Sequence, residues 1–117
     1  MTGAELERYI REQYGITPEY PFARYPDVAI YRHGGNKKWF AAFMTVSEKK
    51  LGLPHDGILP IVNLKVAEEI RDSFLDGKTV FPGYHMNKKH WISVILDGSV
   101  SEDTLTFLLG VSYDLTK

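Results

Sequence analysis

Apolar residues recur along this 117-residue chain with two periods, and the period changes where turn residues cluster. Leu6, Tyr9 and Ile10 are spaced for a helix. Ahead of them, Thr2-Gly3-Ala4-Glu5 has the spacing of a capping box, with a hydroxyl for an early helix amide and a carboxylate reaching back. Gly15 and Pro18 stop that helix, and the proline-rich run to Pro26 reads as an extended connection. Asp27 to Arg32 is a short strand. His33-Gly34-Gly35-Asn36 is a turn, because glycine and asparagine accept the positive φ that tight hairpins need. Lys38 to Val46 alternates between two mostly apolar faces, which predicts an inner strand covered on both sides.

A polar loop over residues 47–57 leads to a third strand, Ile58 to Leu64, where Pro60 suggests an edge or a bulge. Val66, Ile70 and Phe74 mark a second helix that ends at Gly77. Pro82-Gly83 matches the central pair of a type II turn. His90 to Leu96 is the fourth strand, and Asp97-Gly98 turns it. Ser101 caps a last helix with Leu105, Leu108 and Leu109 facing inward. Gly110 inside it costs about 1 kcal/mol relative to alanine and suggests a bend or a close contact. The order α-β-β-β-α-β-α predicts one α+β domain over residues 1–117. Its four-stranded, mainly antiparallel sheet carries helices on one face in two layers.

Charge changes this picture more than composition does. Net charge is −1, which alone argues against a strong nucleic-acid binder. Residues 32–50 and 77–96, however, hold eight basic residues (Arg32, Lys37, Lys38, Lys49, Lys50, Lys78, Lys88 and Lys89) and one acid, Glu48. The chain has no cysteine, so disulfides, thiolate nucleophiles and cysteine zinc sites are excluded. No apolar run approaches a membrane span and the N-terminus lacks the form of a signal peptide; a cytoplasmic monomer is expected.

The most informative stretch is Pro82-Gly83-Tyr84-His85-Met86-Asn87-Lys88-Lys89-His90-Trp91. Asn36-Lys37-Lys38-Trp39 echoes its Asn-Lys-Lys-(x)-Trp pattern. Two basic, aromatic-flanked hairpin mouths suit a polyanion. Lys37, Lys38, Lys88 and Lys89 would contact phosphates, Asn36, Asn87 and His85 would add hydrogen bonds, and Arg32 would help from the base of the first wing. Trp39, Tyr84, His90 and Trp91 are candidates for base stacking or for lining a pocket. With about four to six phosphates neutralised, log K would fall against log salt with a slope near about −4 to −5. The plain alternative is solvated turns with both tryptophans in the core. His33, His85 and His90 match no metal-ligand spacing, and no metal or cofactor is expected. Ser73 or Ser93 with a histidine and an aspartate could form a triad on paper, but no nucleophile-elbow or phosphate-loop pattern accompanies them. The expected activity is therefore non-enzymatic. A protein-interaction module using the open sheet or the Pro60 strand as an edge is the alternative.

The stretch Pro82 to Trp91 resembles the distinctive segment of the MmcQ/YjbR family of small bacterial proteins. Lys38-Trp39-Phe40-Ala41, Leu64-Lys65, Asp97-Gly98 and Ser112-Tyr113-Asp114-Leu115 fit the same family in order and spacing. The chain departs from it where the second helix opens Lys65-Val66-Ala67-Glu68 without a proline, and at Gly110. The resemblance implies a fold similar to frataxin-like and secretion-chaperone-like α+β proteins, and DNA binding through a double-wing arrangement of hairpins. Frataxin-like iron handling does not carry over, because Glu5, Glu7 and Glu12 are interleaved with Arg8 and Arg11.

Overall fold

The computed structural model describes all residues, 1–117. Helices α1 (Gly3–Tyr14), α2 (Glu68–Phe74) and α3 (Glu102–Thr116) lie on one face of a sheet of five strands. The strands are β1 (Ala29–Arg32), β2 (Trp39–Ser47), β3 (Ile58–Lys65), β4 (Val80–Pro82) and β5 (Trp91–Ile95). Their order is β1-β2-β3-β5-β4, and every neighbouring pair is antiparallel. The α+β class follows the predicted pattern, but the sheet has a fifth strand. β4 is three residues long, too short for alternation to register, and it exists through its pairing with β5.

The helix ends obey local rules. Thr2 and Glu5 form the capping box, and Gly15 closes α1 in the left-handed region at φ 69°. Ser101 accepts the Thr104 amide to start α3. α3 runs unbroken through Gly110, which makes no close contact: an added Cβ there would meet only the Tyr14 hydroxyl, at 3.7 Å. In the first hairpin the positive φ, 64°, falls on Lys37 rather than on Gly34 or Gly35.

The core is built by Leu6 and Ile10 of α1 and Leu105, Leu108 and Leu109 of α3. They pack on Val62, Leu64, Ile92 and Val94 of the sheet. A β-bulge in the β1–β2 pairing alters the predicted alternation of β2. Tyr31 pairs with Ala41 but Arg32 pairs with Trp39, so Phe40 is the extra residue. Phe40 turns into the helix-side core and is fully buried, which contributes about 1.5–3 kcal/mol. Trp39 goes to the other face. Ser112 takes over where the β2–β3 ladder stops at Ala41 and Leu64. Its buried hydroxyl donates to the Phe40 carbonyl at 2.6 Å and accepts the Lys65 amide at 2.8 Å.

Pro60 does not mark an edge. β3 pairs with β2 on one side and β5 on the other. The Pro60 carbonyl accepts the Leu96 amide just past the end of β5. In a strand a residue's nitrogen and carbonyl point the same way, so the missing N–H falls beside Leu96, beyond the last pair of the β3–β5 ladder, and costs a terminal bond rather than an inner one. The true edges are β1 and β4, and both are blunted. Ile30 of β1 exchanges two backbone bonds with Glu19. Val80 of β4 is closed off by Asp76 and Gly77, and Pro82 has no N–H to offer.

The second sheet face is not open either. Val46, Ile61, Phe81 and Ile95 form a small cluster there, covered by Leu51, Leu53, Leu59 and Tyr84. No helix is long and apolar enough to cross a membrane.

Candidate nucleic-acid interface

β2 and β5 both run antiparallel to β3, so both begin at the end of the sheet where β3 finishes. The hairpin loop before each is therefore at that same end. The loops over residues 33–38 and 83–90 join β1 to β2 and β4 to β5, so their centres stand three strand spacings apart, roughly 14 Å. Lys65, the last residue of β3, lies between them and pairs directly with Trp91.

The first loop is held by the end of α3. Asn36 donates its amide to the Thr116 carbonyl at 2.8 Å, and its side-chain oxygen accepts the Lys38 amide at 2.9 Å. His33 is buried, with its ring against Phe40 and Tyr113. Its Nε2 lies 2.8 Å from the Thr116 hydroxyl. That hydroxyl also reaches the Ser112 carbonyl at 2.8 Å, which ties the ring to the end of α3. Asn36 is thus a structural tie rather than a free hydrogen-bonding group. Arg32 is also engaged: its Nε lies 2.8 Å from Glu19, which neutralises the charge assigned to the first wing's base. Lys37 and Lys38 are exposed and have no acidic partner.

The second loop contains two turns. The Gly83 carbonyl accepts the Met86 amide, and His85 takes φ 57° at the third position. The turn is therefore centred on Tyr84-His85, two residues beyond the expected Pro82-Gly83. Gly83 is required for another reason: a Cβ there would stand 2.7 Å from Trp91 Cβ and 3.0 Å from its carbonyl oxygen. The Asn87 carbonyl accepts the Trp91 amide, and its side chain accepts the Lys89 amide at 2.9 Å. Lys88 Nζ donates back to the Gly83 carbonyl at 3.0 Å, and Arg71 Nη1 donates to the Lys88 carbonyl at 3.1 Å. Asn87 and Lys88 shape the loop. Lys88 keeps its charge on the surface, and Lys89, His85 and His90 are exposed.

Beneath this loop, Asn63 and Ser93 are fully buried. The Ser93 hydroxyl donates to the Asn63 side-chain oxygen and accepts the Tyr84 amide at 2.8 Å. Asn63 donates to the Tyr84 carbonyl at 3.0 Å. Ser93 is thus a loop anchor with no histidine or aspartate against it. Ser73 donates to the Glu69 carbonyl one turn back in α2. The three histidines do not converge, since His33 is buried against α3 and the other two sit on the second loop.

The folded charge pattern is narrower than the sequence windows indicate. Lys49 and Lys50 follow β2 and Lys78 precedes β4, which puts all three at the opposite end of the sheet; Lys49 also pairs with Asp56 at 2.9 Å. Lys37, Lys38, Lys65, Lys88 and Lys89 remain at the hairpin end. Glu68 and Glu69, exposed at the start of α2, share that end on the helix side.

Both tryptophans are half-buried. Trp39 meets the edge of Phe22 at 6.1 Å and lines a cleft of about 400 Å³ on the loop-covered face. Its walls are Phe22 and Tyr25 of the proline-rich connection on one side and Tyr84, His85 and Met86 on the other, over Ile30 and Met44. Lys65, Phe22 and Tyr25 escape a reading of the sequence. The only local sign was a cluster of aromatic residues in a connection too proline-rich to be a core element.

A YjbR family model matches residues 5–115. The chain is 41% identical over 117 residues to the uncharacterized protein YyaQ of Bacillus subtilis (strain 168), across 100% of this chain and 99% of that protein. It is 35% identical over 99 residues to the uncharacterized protein YbdF of Escherichia coli O157:H7, across 82% of this chain and 68% of that one. A crystal structure of a protein from Pseudomonas syringae superposes with a TM-score of 0.96 at 33% identity, covering 100% of both chains. Protein DR2400 of Deinococcus radiodurans, with a DUF419 domain, superposes with a TM-score of 0.73 at 26% identity, covering 97% of this chain and 77% of that one. On this match of sequence and fold, the chain belongs to the YjbR family.

Proposed function

We propose that this chain is a small non-enzymatic module that binds the phosphate backbone of nucleic acid at the hairpin end of its sheet. One observation carries the reading: two hairpin loops with exposed lysines free of acidic partners stand at the same end, about three strand spacings apart. The phosphate contacts fall to Lys37, Lys38, Lys88 and Lys89, with Lys65 adding to the field. Arg32 and Asn36 serve the fold. The binding surface is small and the rest of the molecule is acidic, so affinity is modest and salt-sensitive.

Charge reversal tests this directly. Lys37→Glu with Lys38→Glu, and Lys89→Glu separately, should each weaken binding of a labelled oligonucleotide several-fold at low salt. Lys50→Glu with Lys78→Glu, at the opposite end, should weaken it far less for the same change in net charge. Equal losses from both sets would mean that net charge alone is being read, and the hairpin assignment would fall.

The rival reading, a protein module that adds a partner strand to its sheet, finds little backbone to pair with. Its named edge is an inner strand, and both real edges are blunted.

A further inference from the structure

We infer that the cleft between the proline-rich connection and the second hairpin takes an unstacked base, so that the nucleic acid bound is single-stranded. The inference rests on the backbone-binding reading above, and it is carried by a different set of residues. Phe22, Tyr25, Trp39 and Tyr84 put four aromatic rings around a space of about 400 Å³, within the size range of small-ligand sites at ~300–1,000 Å³. Met44 adds a polarizable floor, and His85 supplies a ring nitrogen on one wall.

The rim of the cleft is open to solvent. Phe22 is 38% and Tyr25 65% exposed, a sizeable apolar area to leave in water on a small protein. His85, on the facing wall, holds φ 57°, a left-handed conformation that a non-glycine residue adopts at a cost of backbone strain. Its ring stands edge-on to Tyr84, with centroids 4.2 Å apart.

Position then decides the source of the ring. Trp39 directly follows Lys38, and Tyr84 to Met86 directly precede the Asn87-Lys88-Lys89 turn. A strand whose phosphates lie along these lysines is therefore within reach of the cleft rings that adjoin them in the chain. Stacking on aromatic rings is sequence-tolerant and needs a base whose faces are free, which a duplex does not offer.

Trp39 is the reporter. In a Trp91→Phe background it is the only tryptophan, and it lines the cleft. A short oligothymidylate, its duplex with oligoadenylate, and free thymidine are titrated against this protein. The same is done with Phe22→Ala and Tyr25→Ala, whose exposed side chains leave the core intact. The expected result is quenching of Trp39 by the single strand, tighter binding of single strand than duplex, and a loss of about fivefold to a hundredfold in single-strand affinity with either rim substitution. Equal, salt-dependent binding of both forms, untouched by Phe22→Ala and Tyr25→Ala, would overturn the base-binding inference and leave the backbone reading standing. Quenching by thymidine without salt-dependent oligonucleotide binding would overturn both, and so would no binding of any kind.

Discussion

Asn36 shows how far a single residue's role depends on contacts distant in sequence. In a turn beside two lysines it reads as a hydrogen-bonding group for a ligand. Its partner is the Thr116 carbonyl, eighty residues away, and the same helix end holds His33. Nothing local announces that pairing. Ser112 is similar: a serine in the middle of an apolar helix that serves a bulge in β2 and the end of β3 at once. Ser112→Ala should destabilise the protein by about 1–3 kcal/mol, because it strands a buried carbonyl and a buried amide together; urea unfolding measures this. Asp76 makes a pH-dependent contribution. Partial burial pulls its carboxyl pKa upward, but bonds from the Thr79 hydroxyl and from the amides of Thr79, Val80 and Lys78 outweigh it and hold the pKa well below the ordinary range. A depressed folded value contributes stability above the unfolded pKa of about 3.9 and loses it as pH falls through the folded value. Asp76→Ala should thus cost about 1 kcal/mol at neutral pH, kept small by solvent exposure, and the gap to the parent protein should begin to narrow below about pH 4 and go on narrowing in stronger acid. A gap that stays constant down to strong acid in thermal melts would contradict this.

At the scale of elements, long periodic segments were legible and short or exceptional ones were not. Both α1 and α3 announce themselves by caps and by helical spacing, and β2 by its doubly apolar run. β4 has too few residues to show a period, and the bulge at Phe40 breaks alternation in a way visible only once β1 lies beside β2. Pro60 misled for a physical reason: proline excludes a donor from the ladder, yet an inner strand that outruns its neighbour tolerates it. Gly110 misled in the opposite direction, by suggesting a need for space that α3 does not have. Gly110→Ala should therefore raise stability by about 0.5–1 kcal/mol, read as a higher urea midpoint with unchanged slope. A loss of stability would reveal a contact with Tyr14 tighter than 3.7 Å implies.

For the whole molecule, the end at which each charge sits matters more than the net charge of −1. The antiparallel order brings both lysine-bearing loops to one end and sends Lys49, Lys50 and Lys78 to the other. The basic candidates were legible as residue types; their grouping was not, since it depends on strand order. Folding also removes Arg32 from the list through Glu19 and sets Glu68 and Glu69 near the binding end. About four phosphate contacts remain, from Lys37, Lys38, Lys88 and Lys89, so the salt slope should be shallower than the sequence alone suggests. The most direct test is fluorescence anisotropy of a labelled single strand across a range of salt concentrations, with the parent protein and with Lys37→Glu/Lys38→Glu/Lys89→Glu. The account predicts saturable binding at low salt with a log–log slope of about −3, and a much weaker, flatter response in the triple variant. Absence of binding at low salt, or a slope that the triple variant leaves unchanged, would contradict it.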